Sequence, residues 1–113
     1  MHELGLMQNI IETVEYYSIK NNVKKVLTVV LEVGKLSGVV PTALEFCFDV
    51  CIKGTLFQDA TLKIQQVNSL GLCKVCRKEF DLLENEFSCP ICKEKDWEIL
   101  SGKEIIIKGL EVI

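Results

Sequence analysis

The sequence predicts an α+β fold: two helices on a small three-stranded sheet, in a discontinuous domain interrupted by an inserted four-cysteine module. Three observations predict it. Apolar residues recur at helical spacing over about residues 4–20 and again after Pro41. Runs rich in β-branched residues stand at "VKKVLTVVLEVG", "ATLKIQQV" and, at the far end, "EIIIKGLEVI". Between the second and third runs the composition changes, and two Cys-x-x-Cys pairs stand twelve residues apart.

In the first helix, Leu4, Met7, Ile11, Val14 and Tyr17 form one apolar stripe, with Gln8, Glu12 and Glu15 off it. "KNN" ends the helix, because asparagine tolerates the left-handed conformation of a C-terminal cap. The first strand closes at Gly34, and "KLSGVV" makes a loop. Pro41 suits the first position of the second helix, where its missing N–H costs nothing. Leu44, Phe48 and Cys51 or Ile52 then share a face, and Gly54 ends the helix. In "ATLKIQQV", Leu62, Ile64 and Gln66 alternate with Thr61, Lys63 and Gln65. Two strands and two helices in about 68 residues are short of core, so the last run is expected to return to the first sheet as its third strand. The predicted division is 1–68 with 99–113 for the α/β domain, and 69–98 for the module.

Composition narrows the class. The chain has 113 residues, 49% apolar and 26% charged, in the ordinary globular range. No apolar run approaches the roughly 20 residues that span a bilayer. "MHELGLMQN" lacks the basic start and apolar centre of a signal peptide. A cytoplasmic protein starting at Met1, without membrane attachment, is expected. The formal net charge is −3 and the pI about 5.2, with lysines interspersed among acids, which opposes nucleic-acid binding. In a reducing compartment the six cysteines point to metal or buried thiols rather than disulfides.

Cys73, Cys76, Cys89 and Cys92 carry the strongest signal. A Cys-x-x-Cys turn aims two thiolates at one ion about 2.3 Å away, and two turns complete a tetrahedron, as in a zinc ribbon. Four protein ligands leave no open position, so the zinc is structural. Lys74, Arg77, Lys78, Lys93 and Lys95 lie beside the ligands and offset the net −2 of a Zn–thiolate cluster. A thioredoxin-like redox pair would need one such turn in a βαβ setting, which two matched pairs oppose. A rubredoxin-like iron site, and with it an electron carrier, shares the geometry and stays open on spacing alone. A zinc-ribbon protein-interaction module is the other alternative; in transcription or translation it would show a basic face. Cys47 and Cys51 lie four apart, on one helix face, and suit either a soft metal or two small buried hydrophobes.

His2 is the only histidine. It is either an accident of a frayed terminus or a ligand. The Met1 amine, the His2 amide nitrogen and the His2 imidazole can close two fused chelate rings on one ion, with Glu3 adding a carboxylate or another backbone nitrogen. Such a flat, nitrogen-rich set suits Ni(II) or Cu(II) and mismatches tetrahedral zinc. No nucleophile–base pair, phosphate loop or second histidine is available for catalysis, so a carrier rather than an enzyme is expected.

The "MHE" start, the amphipathic first helix, the "VxLxVG" strand, "ALEFCFDV" followed by "GT" and the CxxC–x12–CxxC module, in this order, resemble the HypA/HybF family of nickel-insertion proteins for NiFe-hydrogenase maturation. The resemblance covers essentially the whole chain. It implies transient Ni(II) cargo on His2, with Glu3 nearby and the Met1 amine as a further donor. It also implies structural Zn(II) on Cys73, Cys76, Cys89 and Cys92. The implied partners are a HypB-type GTPase and the hydrogenase large subunit, with monomer and homodimer both compatible. Some relatives carry histidines beside the zinc cysteines or an acid in the loop before the second helix. This chain has neither, and Glu45 is the carboxylate nearest that loop in sequence.

Overall fold

A computed structural model describes residues 3–113. The elements are α1 (Glu3–Lys20), β1 (Val26–Gly34), α2 (Pro41–Cys51), β2 (Thr61–Val67), β3 (Leu70–Cys73), β4 (Glu79–Asp81), β5 (Trp97–Ser101) and β6 (Ile105–Val112). They group into two compact units. One holds the chain up to Glu32, Gly38–Gln65 and Ile106–Ile113; the other holds Val33–Ser37 and Gln66–Ile105.

In the first unit, α1 buries Met7, Ile10, Ile11, Val14 and Ser18. The expected stripe is therefore corrected at both ends. Leu4 and Tyr17 are exposed, while Ile10 and Ser18 are buried. A helix advances 100° per residue, so a chain of i+3 and i+4 steps drifts off the true face unless it is anchored by burial. Asn22 stops the helix with φ at 56°, the left-handed cap expected there. Pro41 opens α2, which buries Leu44 and Phe48. Ile52 just beyond the helix is buried and Cys51 only half-buried, which decides between them.

The first sheet has the order β2-β1-β6, so "EIIIKGLEVI" does return beside the first strand. Backbone bonds join Ile113 to Lys25 and Glu104 to Gly34, so β1 and β6 run antiparallel. Val26 bonds to Leu56 and Lys35 to Val67, so β1 and β2 run the same way. Parallel neighbours need a crossover, and α2 supplies it. Lys108 of β6 reaches Glu32 of β1 at 3.4 Å and Gln65 of β2 at 3.1 Å, one ammonium spanning three strands on one face. Removing residues 106–113 deletes an edge strand with half-buried Ile107 and the backbone bonds of Ile113. The helical melt, followed by circular dichroism, should lose about 3 kcal/mol of stability, while zinc stays bound. An unchanged melt would refute this role for β6.

The second unit has a sheet of its own, order β4-β3-β5. β3 pairs antiparallel with β4 (Leu72 opposite Glu79) and with β5 (Cys73 opposite Trp97). Sequence reading places no strands here, and the unit takes in more chain than the 69–98 stretch that composition marks. Its buried Ser69 donates to Asp81 Oδ1 at 3.1 Å and accepts the Leu83 N–H at 3.1 Å. The Glu84 N–H also bonds Asp81, and with Ser69 it holds that carboxyl below its ordinary pKa against the opposing effect of burial. Two glycines make a close crossing possible. A Cβ on Gly34 would collide with the Gly102 carbonyl, and Gly102 itself has φ of 95°. Neither position accepts a side chain.

Candidate metal centre

The two Cys-x-x-Cys turns have the same backbone. The Cys73 N–H donates to the Lys78 carbonyl and the Arg77 N–H to the Cys73 carbonyl, both at 2.9 Å. The Cys89 N–H donates to Glu94 and the Lys93 N–H to Cys89, again both at 2.9 Å. The residue after each second cysteine turns left-handed, Arg77 at φ 67° and Lys93 at φ 65°. The pseudo-repeat of "CKVC" and "CPIC" is thus a repeated fold of the main chain. β3 delivers the first turn directly, since Cys73 is its last residue.

The turns bring four sulfurs together. All four Sγ atoms lie within 4.8 Å of one another. Cys73 to Cys92 and Cys76 to Cys89 are each 3.5 Å apart. Disulfide sulfurs sit about 2.05 Å apart, so these are not bonded pairs. A tetrahedron with metal–sulfur bonds of about 2.3 Å has sulfurs about 3.8 Å apart. The cluster is close to that shape. Among the described residues it is the group of three or more His, Cys, Asp or Glu side chains that could hold a metal ion.

Main-chain N–H groups already favour thiolate at the first cysteine of each turn. Those of Cys76 and Val75 bond the Cys73 sulfur and lower its pKa despite burial. Those of Cys92 and Ile91 do the same at Cys89 and hold it at about 6. Each second cysteine receives one such bond, from Lys78 or Glu94, and that is not enough. Burial and the neighbouring thiols raise Cys76, and they push Cys92 up to about 12. Four thiols so arranged oppose taking on four negative charges together; a divalent cation removes that opposition.

Apolar packing fixes the cradle. Cys73 and Cys89 are fully buried with Phe80 and Leu82, and Leu36, Phe87 and Trp97 pack against this cluster. The Trp97 indole N–H donates to the Phe87 carbonyl at 2.8 Å, with the two rings 5.6 Å apart. Sequence reading missed these supports; the alternation in "EFD" and the aromatic of "WEIL" were their only signals. Lys74, Arg77, Lys78, Lys93 and Lys95 are all exposed around the turns, as a charge-offsetting shell requires.

The other expected residues fall elsewhere. Met1 and His2 lie outside the described residues. Glu3 opens α1, and its carboxylate accepts the Val40 N–H at 3.2 Å. Cys47 and Cys51 are half-buried rather than core residues. The Cys51 thiol is raised by burial and by Cys47 beside it, which opposes easy ionisation. Glu45 is exposed on α2, in a shallow cleft with Asp49 and Thr61. No helix among the described residues is long and apolar enough to cross a membrane.

Known proteins share both sequence and fold with this chain. The family model described as "Hydrogenase/urease nickel incorporation, metallochaperone, hypA" matches residues 1–112. Hydrogenase maturation factor HypA of Trichodesmium erythraeum is 41% identical over 112 residues, 99% of this chain and 96% of that protein. Its namesake in Geobacter metallireducens is also 41% identical, with 99% of both chains covered. The solution structure of the Ni metallochaperone HypA from Helicobacter pylori matches with a TM-score of 0.72 at 26% identity, covering 100% of this chain and 98% of that one.

Proposed function

Because the chain belongs to the HypA family of nickel-incorporation metallochaperones, we propose that it binds Ni(II) at its N-terminus and delivers it to the large subunit of NiFe hydrogenase during maturation. It is a carrier and not an enzyme, as its family is. The observation that carries the proposal is the closed four-sulfur cluster within a chain that matches this family over residues 1–112. A cluster with four protein ligands has no position to load and unload, so the cargo needs a different donor set. The Met1 amine and His2, with Glu3 beside them, are that set.

The resident ion of the cysteine cluster is Zn(II). Sulfur pairs 3.5 Å apart suit its tetrahedral preference, and bound there it cross-links the two turns. The partners are a HypB-type GTPase and the hydrogenase large subunit, and the compartment is the cytoplasm. Relatives named as hydrogenase maturation factors support hydrogenase as the destination.

Metal analysis of untagged protein tests the reading. One zinc per chain is expected before nickel is added, and one zinc plus one nickel after. Iron in place of zinc would favour an electron carrier. Nickel that displaces zinc one for one would put both metals on the cysteines and sink the separate terminal site.

A further inference from the structure

α2 lacks a cap of its own. Its N-cap residue is Val40, among the poorest choices there, with no side-chain cap bond and no acid in the first turn. The Val40 carbonyl accepts the N–H groups of Ala43 and Leu44, so the first turn is properly formed. In a capping box, an acidic residue at the third helical position reaches back to the N-cap N–H. That position here is Ala43, which has nothing to offer. The acceptor comes instead from Glu3, 37 residues away, whose Oε2 lies 3.2 Å from the Val40 nitrogen. Glu3 also stands in the first turn of α1. One carboxylate therefore serves the positive ends of two helices.

We infer that Glu3 is a positioning residue: its carboxylate caps α2 and anchors the start of α1, leaving nickel to the Met1 amine, the imidazole and backbone nitrogens. This rests on the terminal nickel site proposed above and assigns a task within it. A cation approaching the start of α1 meets the partial positive charge of a helix N-terminus. The Glu3 carboxylate is a fixed countercharge at that place. Its bond to Val40 also ties residue 3 to a second helix, which restrains the backbone that follows His2. An anchored chain start loses less freedom when it closes around an ion than a frayed one does.

The test compares wild type with Glu3→Gln and Glu3→Ala, all untagged. In the metal-loaded cluster state without nickel, Val40 amide exchange is read by NMR. It should be slow in wild type, partly retained in Glu3→Gln, whose side-chain oxygen still accepts, and about tenfold faster in Glu3→Ala. Nickel is then titrated and its absorption band followed. Glu3→Gln should keep the wild-type band, and Glu3→Ala should bind about tenfold more weakly with the same band. Equal Val40 exchange in all three proteins overturns the cap. A changed band in Glu3→Gln makes the carboxylate a nickel donor and overturns the positioning role. A wild type that takes no nickel while Val40 stays protected refutes the terminal site itself, and the positioning role with it.

Discussion

Cys73→Ser is expected to release the zinc ion and to unfold the cysteine unit while α1 and α2 keep their structure. The expectation rests on three features of that residue. It supplies one of four convergent sulfurs. It is fully buried with Phe80, Leu82 and Cys89, so a hydroxyl there also loses apolar packing. As the last residue of β3, opposite Trp97 of β5, it ties the cluster to the sheet. Structural zinc contributes roughly 10–16 kcal/mol in small modules, far more than the few buried side chains of this unit supply. Trp97 is the chain's single tryptophan and packs inside the unit, so its fluorescence reports on that unit alone. Zinc release to a chromophoric chelator should coincide with a red shift of its emission. Helical circular dichroism should change little, because the first unit has its own core around Met7, Val14, Leu44 and Phe48. Cys92→Ser should also release zinc, but with a smaller packing loss, since Cys92 is only half-buried. Zinc-free Cys73→Ser protein with unchanged Trp97 emission would mean that the unit stands without its metal.

What the sequence disclosed, and what it hid, follow from the range of the interactions involved. Pro41 and Asn22 act on their own backbone, so the boundaries they set were legible, whereas α2 stops at Cys51 with Ile52 as its cap, short of the Gly54 expected to end it. The Cys-x-x-Cys turns are equally local, and their spacing foretold a shared site. The strands of the cysteine unit were hidden because β4 is three residues long and β3 four, too short for alternation to stand out. The Gly34–Gly102 crossing joins residues far apart in the chain, and Gly34 alone looked like an ordinary strand-end glycine. Ser69 and Asp81 likewise meet only once β3 and β4 have paired. The bond from Val40 to Glu3 was hidden twice over. Val40 donates through its backbone, which no residue type announces, and Glu3 already had a ready explanation as a metal ligand.

Two chemically different changes at the terminus should abolish nickel binding equally. His2→Ala removes the imidazole. A short N-terminal tag leaves the imidazole but converts the Met1 amine into an amide, a far poorer ligand. Both losses are expected only if amine and imidazole bind the same ion. The amine is suited to this because its pKa, about 7.7–8.0, leaves part of it unprotonated near neutral pH. α1 begins at Glu3, and the first N–H groups of a helix have no acceptor within it, so an amide nitrogen there can bind metal without breaking a helical bond. Neither change should touch the zinc, whose four ligands lie between Cys73 and Cys92. Only the neutral amine and the neutral imidazole bind, so affinity should fall with pH in two stages: protons compete first at the amine, below about pH 7.7–8.0, and then at the imidazole, near pH 6.5 when unperturbed. Nickel titrated into untagged, tagged and His2→Ala protein, followed by the absorbance of a planar site, measures all of this. Binding by the tagged protein as strong as by the untagged one would remove the amine from the ligand set and leave His2 to act with backbone amides or Glu3. Normal binding by His2→Ala as well would take the cargo away from the N-terminus, and the half-buried thiols of Cys47 and Cys51 would be the next donors to test.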